Sequence, residues 1–324
     1  MGIHYTPIPE TNINIFSYIV KVKMNNSKQL SRLFSFTKPK VSLFDVSLRD
    51  GIQNTKNKEK YSTEAKKAIL KTIIQTRAPE SIEVGSFVNS RVLPIMKDTE
   101  EILKYGLEYA KLVGIPQNYY VLIPNMKQMT RALKSPVVIN HMGGRYKSSV
   151  NFSFIASTSE SFQLKNAKMT LDTSRSELKV MTQWLSYFWP SAMTKLYVSC
   201  VNECPFEGKI ANSVVAKEIS AYNQFGEFDE ICLSDTMGTL EPADLDEILS
   251  KLKHAPYLPI GKLSLHLHGF EGESRVRDLL RVAKKRGIRQ FDVSSIQEGG
   301  CSVTMDDSNI KPNLTYRAFD DIRV

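Results

Sequence analysis

The chain has 324 residues, 42% of them hydrophobic and 24% charged, and its formal net charge at pH 7 is +9. This composition is typical of a globular protein with a large core, built as one large domain or two modest ones. No apolar run reaches the roughly eighteen residues of a membrane-spanning helix, and four cysteines are too few for a disulfide framework. We therefore expect no membrane partner and a reducing compartment.

Residues 1–40 hold six basic residues against a single acid, Glu10, so this segment alone contributes +5. The rest of the chain is only mildly basic, which argues against a nucleic-acid partner. The segment shares bases and serines with transit peptides, but we interpret it as a poorly ordered basic arm before a domain at 41–324. A cytoplasmic protein is the expectation, with mitochondrial import as the alternative if residues 1–40 act as a transit peptide.

From residue 41 onward, short apolar runs alternate with longer amphipathic stretches. Eight runs are candidate strands: VSLFDVSL (41–48), SIEVGSF (81–87), YYVLIP (119–124), NFSFIAS (151–157), KLYVSC (195–200), DEICLSD (229–235), KLSLHLH (262–268) and QFDVSS (290–295). The stretch from Ser62 to Ile74 has a helix start, and the one from Ser274 to Arg286 ends on three bases followed by a glycine. This alternation predicts a (β/α)₈ TIM barrel. An open doubly wound sheet is the alternative, although no Gly-x-Gly-x-x-Gly follows the first run.

Segment 134–150 fits the alternation least well, because it is polar, contains glycines and is longer than a connection needs. We interpret it as an insertion between the third and fourth units. Its PVVIN stretch is an alternative candidate for the fourth strand.

Polar residues cluster where the predicted strands end, which is where TIM barrels place their chemistry. His266 and His268 are two apart on one run, so both imidazoles face the same side of the strand and can grip one metal ion. Two unrelated polar residues are the alternative. With a carboxylate from Asp50 and an amide oxygen from Asn309, the donors would suit Mg²⁺ or Mn²⁺ better than zinc.

Arg49 keeps its charge under all ordinary conditions and, beside a metal, would stabilise a developing enolate oxygen. A structural salt bridge to Glu83 or Asp235 is a compatible alternative. Cys301 follows two glycines, so its thiol could shuttle a proton or be a buried bystander. The other cysteines, Cys200, Cys204 and Cys232, are interpreted as packing residues, since their spacing completes no zinc site.

Taken together, these residues resemble the 3-hydroxy-3-methylglutaryl-CoA lyases, a branch of the metal-dependent lyase and condensing-enzyme barrels, over about residues 41–301. The matching stretches are RDGIQN (49–54), SIEVGSFV (81–88), VLPIMKD (92–98), LIPNMK (122–127), YVSCVNECPFEGKI (197–210), SDTMGTLEP (234–242), HLH (266–268) and GGC (299–301). RDGIQN alone would indicate only the wider superfamily. The CPFEGKI, VLPIMKD and GGC stretches point to the lyase branch.

The resemblance implies retro-Claisen cleavage of a 3-hydroxyacyl-CoA to acetyl-CoA and a 3-keto acid such as acetoacetate. It implies metal ligation by Asp50, His266 and His268 and an enolate-stabilising Arg49. It also implies that Glu83 and Asp235 line the active site and that Cys301 is a mobile-loop thiol. The expected partner is a small-molecule acyl-CoA, and a homodimer is the default assembly.

The chain departs from the family pattern at two loops. The family's Gly-Leu-Gly-Gly-Cys-Pro-Tyr corresponds to residues 297–303 here, which carry Glu298 and lack the proline. The family's Asp-Thr-Tyr-Gly after the second histidine is Gly269-Phe270-Glu271-Gly272 in this chain. The metal-binding asparagine is out of register by about one residue, with Asn309 the first candidate and Asn313 the second.

These departures keep two further hypotheses open beside an active lyase. One is a non-catalytic or weakly active barrel that binds a metal or an acyl-CoA. The other is an aldolase or condensing enzyme that uses the same metal site on a keto acid without CoA.

Overall fold

The computed structural model of the chain describes residues 41–142, 148–255, 258–298 and 311–320. The predicted arm at 1–40 and the candidate site residues Cys301 and Asn309 lie outside these ranges. Within the described part of the chain, none of the helices has the length and apolar character needed to span a bilayer.

A closed barrel of parallel strands forms the centre of residues 41–320. Its strands are β1 (Ser42–Asp45), β2 (Ser81–Ser86), β3 (Asn118–Leu122), β4 (Ser149–Ser157), β5 (Thr194–Ser199), β8 (Glu230–Ser234), β9 (Leu263–His266) and β10 (Gln290–Val293). They close in the order β1-β10-β9-β8-β5-β4-β3-β2. A two-residue hairpin, β6 (Glu203–Cys204) with β7 (Gly208–Lys209), lies outside the barrel. Each predicted run overlaps one barrel strand, which confirms the TIM-barrel prediction.

Helices follow the strands and pack on the outside of the barrel. They are α1 (Asp50–Gln53), α2 (Thr63–Thr76), α3 (Thr99–Val113), α4 (Met126–Ala132), α5 (Pro136–His141), α6 (Glu160–Ala167), α7 (Leu171–Phe188), α8 (Asn212–Phe225), α9 (Pro242–Leu252) and α10 (Ser274–Arg286). Four short 3₁₀ turns lie among the described residues, at Lys58–Tyr61, Pro94–Met96, Ile260–Lys262 and Tyr316–Phe319.

The two helices expected from the sequence are present with their end signals. The Ser62 hydroxyl caps α2 by accepting the Ala65 N–H at 3.3 Å. Helix α10 buries Val276, Leu279, Leu280 and Ala283. It then ends at Gly287, whose φ of 101° lies in the left-handed region.

The alternative placement of the fourth strand at PVVIN was wrong. Those residues belong to α5, which begins with Pro136 and is capped by the Ser135 hydroxyl accepting the Val138 N–H at 3.4 Å. Proline suits the first turn of a helix because its missing N–H has no partner there. The fourth strand is instead β4, and α5 lies in the connection before it.

Candidate active site

Three side chains that the sequence singled out converge at the carboxyl end of the barrel. Asp50 begins α1 directly after β1, His266 ends β9 and His268 follows two residues later. One ligand atom from each lies within 4.8 Å of the others, and all three residues are buried. Asp50 Oδ2 is 3.7 Å from His266 Nε2 and 3.8 Å from His268 Nε2. The alternation of side chains along a strand therefore places both imidazoles on one face, as predicted.

The outer nitrogen of each imidazole has its own acceptor. His266 Nδ1 lies 3.0 Å from Asp292 Oδ2, and His268 Nδ1 lies 2.8 Å from the main-chain oxygen of Asp235. Each Nδ1 therefore carries a proton, so in the neutral form of each ring the lone pair is on Nε2. The two Nε2 atoms are only 3.2 Å apart and face the same carboxylate. Lone pairs this close repel unless a cation lies between them, so this donor set fits a divalent metal ion.

The charged groups around Asp50 and His268 shift the pKa values of both side chains. Burial acts to raise the pKa of the Asp50 carboxyl, but Arg49 and the two histidines hold that pKa well below its usual range. Burial acts to lower the pKa of His268, yet the hydrogen bond and charge of Asp50 raise it above 6.5. Asp50 is thus an ionised carboxylate at neutral pH, as a metal ligand must be.

Arg49 is buried beside the cluster and held by two acids. Its Nε donates to Glu83, its Nη1 donates to Asp50 Oδ1 at 2.6 Å, and its guanidinium lies 4.8 Å from the centre of the Tyr197 ring. Burial opposes the charge, but both carboxylates raise the pKa of Arg49 well above its usual value. The expected salt bridge forms with Glu83, and it fixes a permanent positive charge next to the candidate ligands.

Glu83 on β2 is fully buried, and its carboxylate accepts hydrogen bonds from three side chains. It accepts hydrogen bonds from Arg49, from the Ser153 hydroxyl and from the Tyr197 hydroxyl, the last at 3.2 Å. The pairing of β2 with β3 shifts register between Glu83 and Gly85, an irregularity of the kind that re-aims side chains near active sites. Glu83 therefore positions the guanidinium. Neither Ser153 nor Tyr197 was singled out from the sequence, because each is an ordinary strand residue until the barrel closes.

Asp235 follows β8 and reaches the cluster through its main chain. Its carboxylate accepts the N–H groups of Thr239 and Leu240 at 3.0 and 3.1 Å and lies 3.3 Å from Arg275 Nη1. Arg275, which the sequence did not indicate, also donates to the main-chain oxygen of His268 at 2.8 Å. Asp235 and Arg275 thus hold the loop that carries His268.

Asn313 is the asparagine that the described chain places against the candidate ligands. It is buried, its Nδ2 donates to Asp50 Oδ2 at 2.9 Å, and it bridges to His268 through the main chain. Rotating the amide by half a turn would point Oδ1 at the same atoms. Asn313, the second candidate from the sequence, therefore has the position of a further oxygen donor, while Asn309 lies outside the described residues.

A cavity of about 900 Å³, called the mouth below, lies between the segment after α1 and the loop after His268. The negative charge of Glu298 is balanced there by Lys60, with which its carboxylate forms a salt bridge. The same carboxylate accepts a hydrogen bond from the Thr55 hydroxyl at 2.9 Å. Phe270 and Glu271 line the same cavity, and the Phe270 ring is 60% exposed. Described residues from both departures thus line the mouth, whereas Asp50, His266 and His268 do not.

Cys200, Cys204 and Cys232 are buried free thiols. Cys232 lies in the barrel interior, where burial raises the pKa of its thiol well above 9. Cys204 sits on β6 against Cys200 and the Ser159 hydroxyl, and those hydrogen bonds lower the pKa of its thiol to about 5. The packing role expected for these three cysteines stays a prediction.

Several known proteins are similar to this chain in sequence and in fold. A family model described as HMGL-like matches residues 40–296. The mitochondrial hydroxymethylglutaryl-CoA lyases of Mus musculus and Homo sapiens are each 31% identical over 266 residues, which is 82% of this chain and 74% of theirs.

Two solved structures extend the comparison. The HMG-CoA lyase from Brucella melitensis has a TM-score of 0.70 at 26% identity and covers 87% of this chain and 89% of its own. An Acinetobacter baumannii HMG-CoA lyase, solved with coenzyme A and 3-methylmalate, has a TM-score of 0.66 at 25% identity, with coverage of 87% and 82%. The matches extend over most of the chain and include the strands that bear the candidate site, so the chain belongs to the HMGL-like family, together with the hydroxymethylglutaryl-CoA lyases.

Proposed function

We propose that the chain is a divalent-metal-dependent carbon–carbon lyase. Its substrate is a 3-hydroxyacyl-CoA such as 3-hydroxy-3-methylglutaryl-CoA, which it cleaves to acetyl-CoA and acetoacetate. The observation that carries the proposal is the buried cluster of Asp50, His266 and His268, with the Arg49 guanidinium 2.6 Å from the same Asp50. Mitochondrial HMG-CoA lyases at 31% identity support the reaction class.

In this reaction the 3-hydroxyl gives its proton to a solvent base, its C–O bond becomes the keto carbonyl as the C2–C3 bond breaks, and the electrons of that bond form the enolate of acetyl-CoA. Asp50, His266 and His268 would hold Mg²⁺ or Mn²⁺, which when bound would supply Lewis acidity. Arg49 offsets the negative charge of the enolate, and its position is fixed before substrate arrives because Glu83 and Asp50 hold it. Cys301 is proposed as the group that donates a proton to the enolate carbon.

One observation favours a second candidate. Among the described residues that line the cavity, Lys56 and Lys60 are balanced by Glu271 and Glu298, so these residues offer no net positive charge to the phosphates of coenzyme A. This balance favours a substrate without CoA, as for an aldolase on the same metal site, or a weakly active barrel. Turnover of 4-hydroxy-2-keto acids in the absence of any thioester would support the aldolase.

The test is acetyl-CoA release by the purified full chain with Mg²⁺ or Mn²⁺ over a panel of 3-hydroxyacyl-CoAs. His266→Ala should abolish turnover, while the control Arg281→Met should retain it, since Arg281 is an exposed arginine on α10 and its ion pair with Asp278 also lies at the surface. Absence of turnover by the wild type with both metals across the panel would overturn the lyase proposal.

A further inference from the structure

The barrel interior beneath His266 holds a buried ion pair that the proposed chemistry does not use. Lys195 on β5 is completely buried, and its Nζ lies 2.5 Å from Asp292 Oδ1 and 2.9 Å from Glu230 Oε1. Its ammonium also lies 3.6 Å from the centre of the Phe44 ring. A lysine and an aspartate therefore replace the branched apolar side chains that usually fill this layer of a TIM barrel.

Burying such an ion pair in a core carries a large desolvation cost. Removing an ammonium and a carboxylate from water costs several kcal/mol per ion, and apolar residues of similar volume are often at least as stable. Stability alone is thus a weak reason for Lys195 and Asp292 to be there. What distinguishes this pair is its contact with a candidate metal ligand.

Asp292 joins the pair to the metal cluster through its two oxygens. Oδ1 faces Lys195, while Oδ2 accepts the Nδ1–H of His266 at 3.0 Å. His268 differs, because its Nδ1 faces a neutral main-chain carbonyl. The two imidazoles are therefore not equivalent, and only His266 is backed by a full negative charge whose orientation a buried ammonium fixes.

We propose that Asp292, oriented by Lys195, is a positioning residue for metal binding. It holds the His266 ring with its proton on Nδ1 and its Nε2 lone pair aimed at Asp50 and His268, and it strengthens His266 as a donor. The inference rests on the proposed function in that a divalent cation is taken to bind at this cluster. A carboxylate behind a ligating histidine typically changes metal affinity about 10–100-fold.

Mn²⁺ affinity of the full chain, measured by electron paramagnetic resonance titration, tests the proposal without any turnover. In Asp292→Asn the amide has nearly the same shape, but keeping its oxygen on His266 turns its NH₂ group toward the Lys195 ammonium. We expect Mn²⁺ to bind about 10–100-fold more weakly than to the wild type.

Asp45→Asn is the matched control. Asp45 is another fully buried aspartate, on the strand that pairs with β10, and it bonds Ser47 and Tyr316 rather than a histidine. Its Mn²⁺ affinity should stay within about twofold of the wild type, because the affinity effect requires contact with a ligating ring. Thermal unfolding of both metal-free variants separates affinity from general destabilisation.

The outcomes are distinguishable. Wild-type binding with equal affinity in Asp292→Asn overturns the positioning role, whereas absence of binding to the wild type overturns the metal site of the proposed function. If Asp292→Asn does not fold, ¹⁵N-histidine NMR of the Mg²⁺-loaded wild type decides. A His266 proton on Nδ1 is the expected result, and a proton on Nε2 overturns the proposal.

Discussion

Replacing Arg49 with methionine should remove catalysis while leaving metal binding largely intact. Arg49 is 4% exposed and its guanidinium is fixed by Glu83 and Asp50, so it requires no reorganisation when negative charge develops beside it. Losing one preorganised donor of this kind costs about 10²–10³ in kcat, or ~2.7–4 kcal/mol. We expect the upper end of that range, because a full buried charge is lost rather than a neutral donor.

The metal should remain, because Arg49 contacts Oδ1 of Asp50, while Oδ2 is the oxygen that faces the histidines. The assay is kcat for acetyl-CoA release at saturating Mn²⁺, with Mn²⁺ affinity measured on the same sample. Arg49→Lys is the matched variant. It keeps the charge but cannot hold two carboxylates at once, so its loss should be smaller. A methionine variant within about tenfold of wild-type kcat would refute the assigned role of Arg49.

Three further predictions concern stability. A methyl group on Gly51 would come within 2.5 Å of the Ser294 hydroxyl oxygen, so Gly51→Ala should lower the free energy of unfolding by about 1–3 kcal/mol in urea titrations. Burial raises the pKa of Asp45 from 3.8 to about 6, so the folded chain binds the proton more tightly than the unfolded chain. As the pH rises from 4 to 6, the wild type should therefore lose about 2 kcal/mol of unfolding free energy relative to Asp45→Asn, a fall that would be absent if that pKa is normal. Mn²⁺ at about 100 times its dissociation constant should stabilise the wild type by about 2.7 kcal/mol but not Asp50→Ala, as thermal melts would show.

The barrel could be predicted from the sequence because each strand is a short apolar run separated from the next by a helix-length segment. PVVIN shows where that reasoning fails. An apolar run of five residues suits a strand or a helix equally, and the Ser135 cap with Pro136 at the first helical position decides for the helix.

The candidate ligands could be predicted because their spacing alone constrains them, as for the two histidines on one strand face. Lys195 and Asp292 could not be found in this way. They are 97 residues apart in the chain. In the sequence, each is a single polar residue within an apolar strand. Only closure of the barrel brings their charges together beneath His266. A pattern of neighbouring residues in the sequence cannot predict a pair that forms in this way.

Gly51 shows a constraint that the sequence alone does not reveal. Glycine in RDGIQN is compatible with a tight turn, but Gly51 is the second residue of the short helix α1, and a side chain there would meet Ser294 and Ile296. Close approach of two segments, rather than a special backbone angle, is what excludes a side chain.

Acetyl-CoA release from 3-hydroxy-3-methylglutaryl-CoA, measured on chelator-treated full-length protein before and after Mn²⁺ is added, tests the central claim most directly. The account predicts no release without the metal, release when Mn²⁺ is restored, and none in His266→Ala under either condition. Release that persists in the metal-depleted protein, or that never occurs with Mn²⁺ bound, would contradict it.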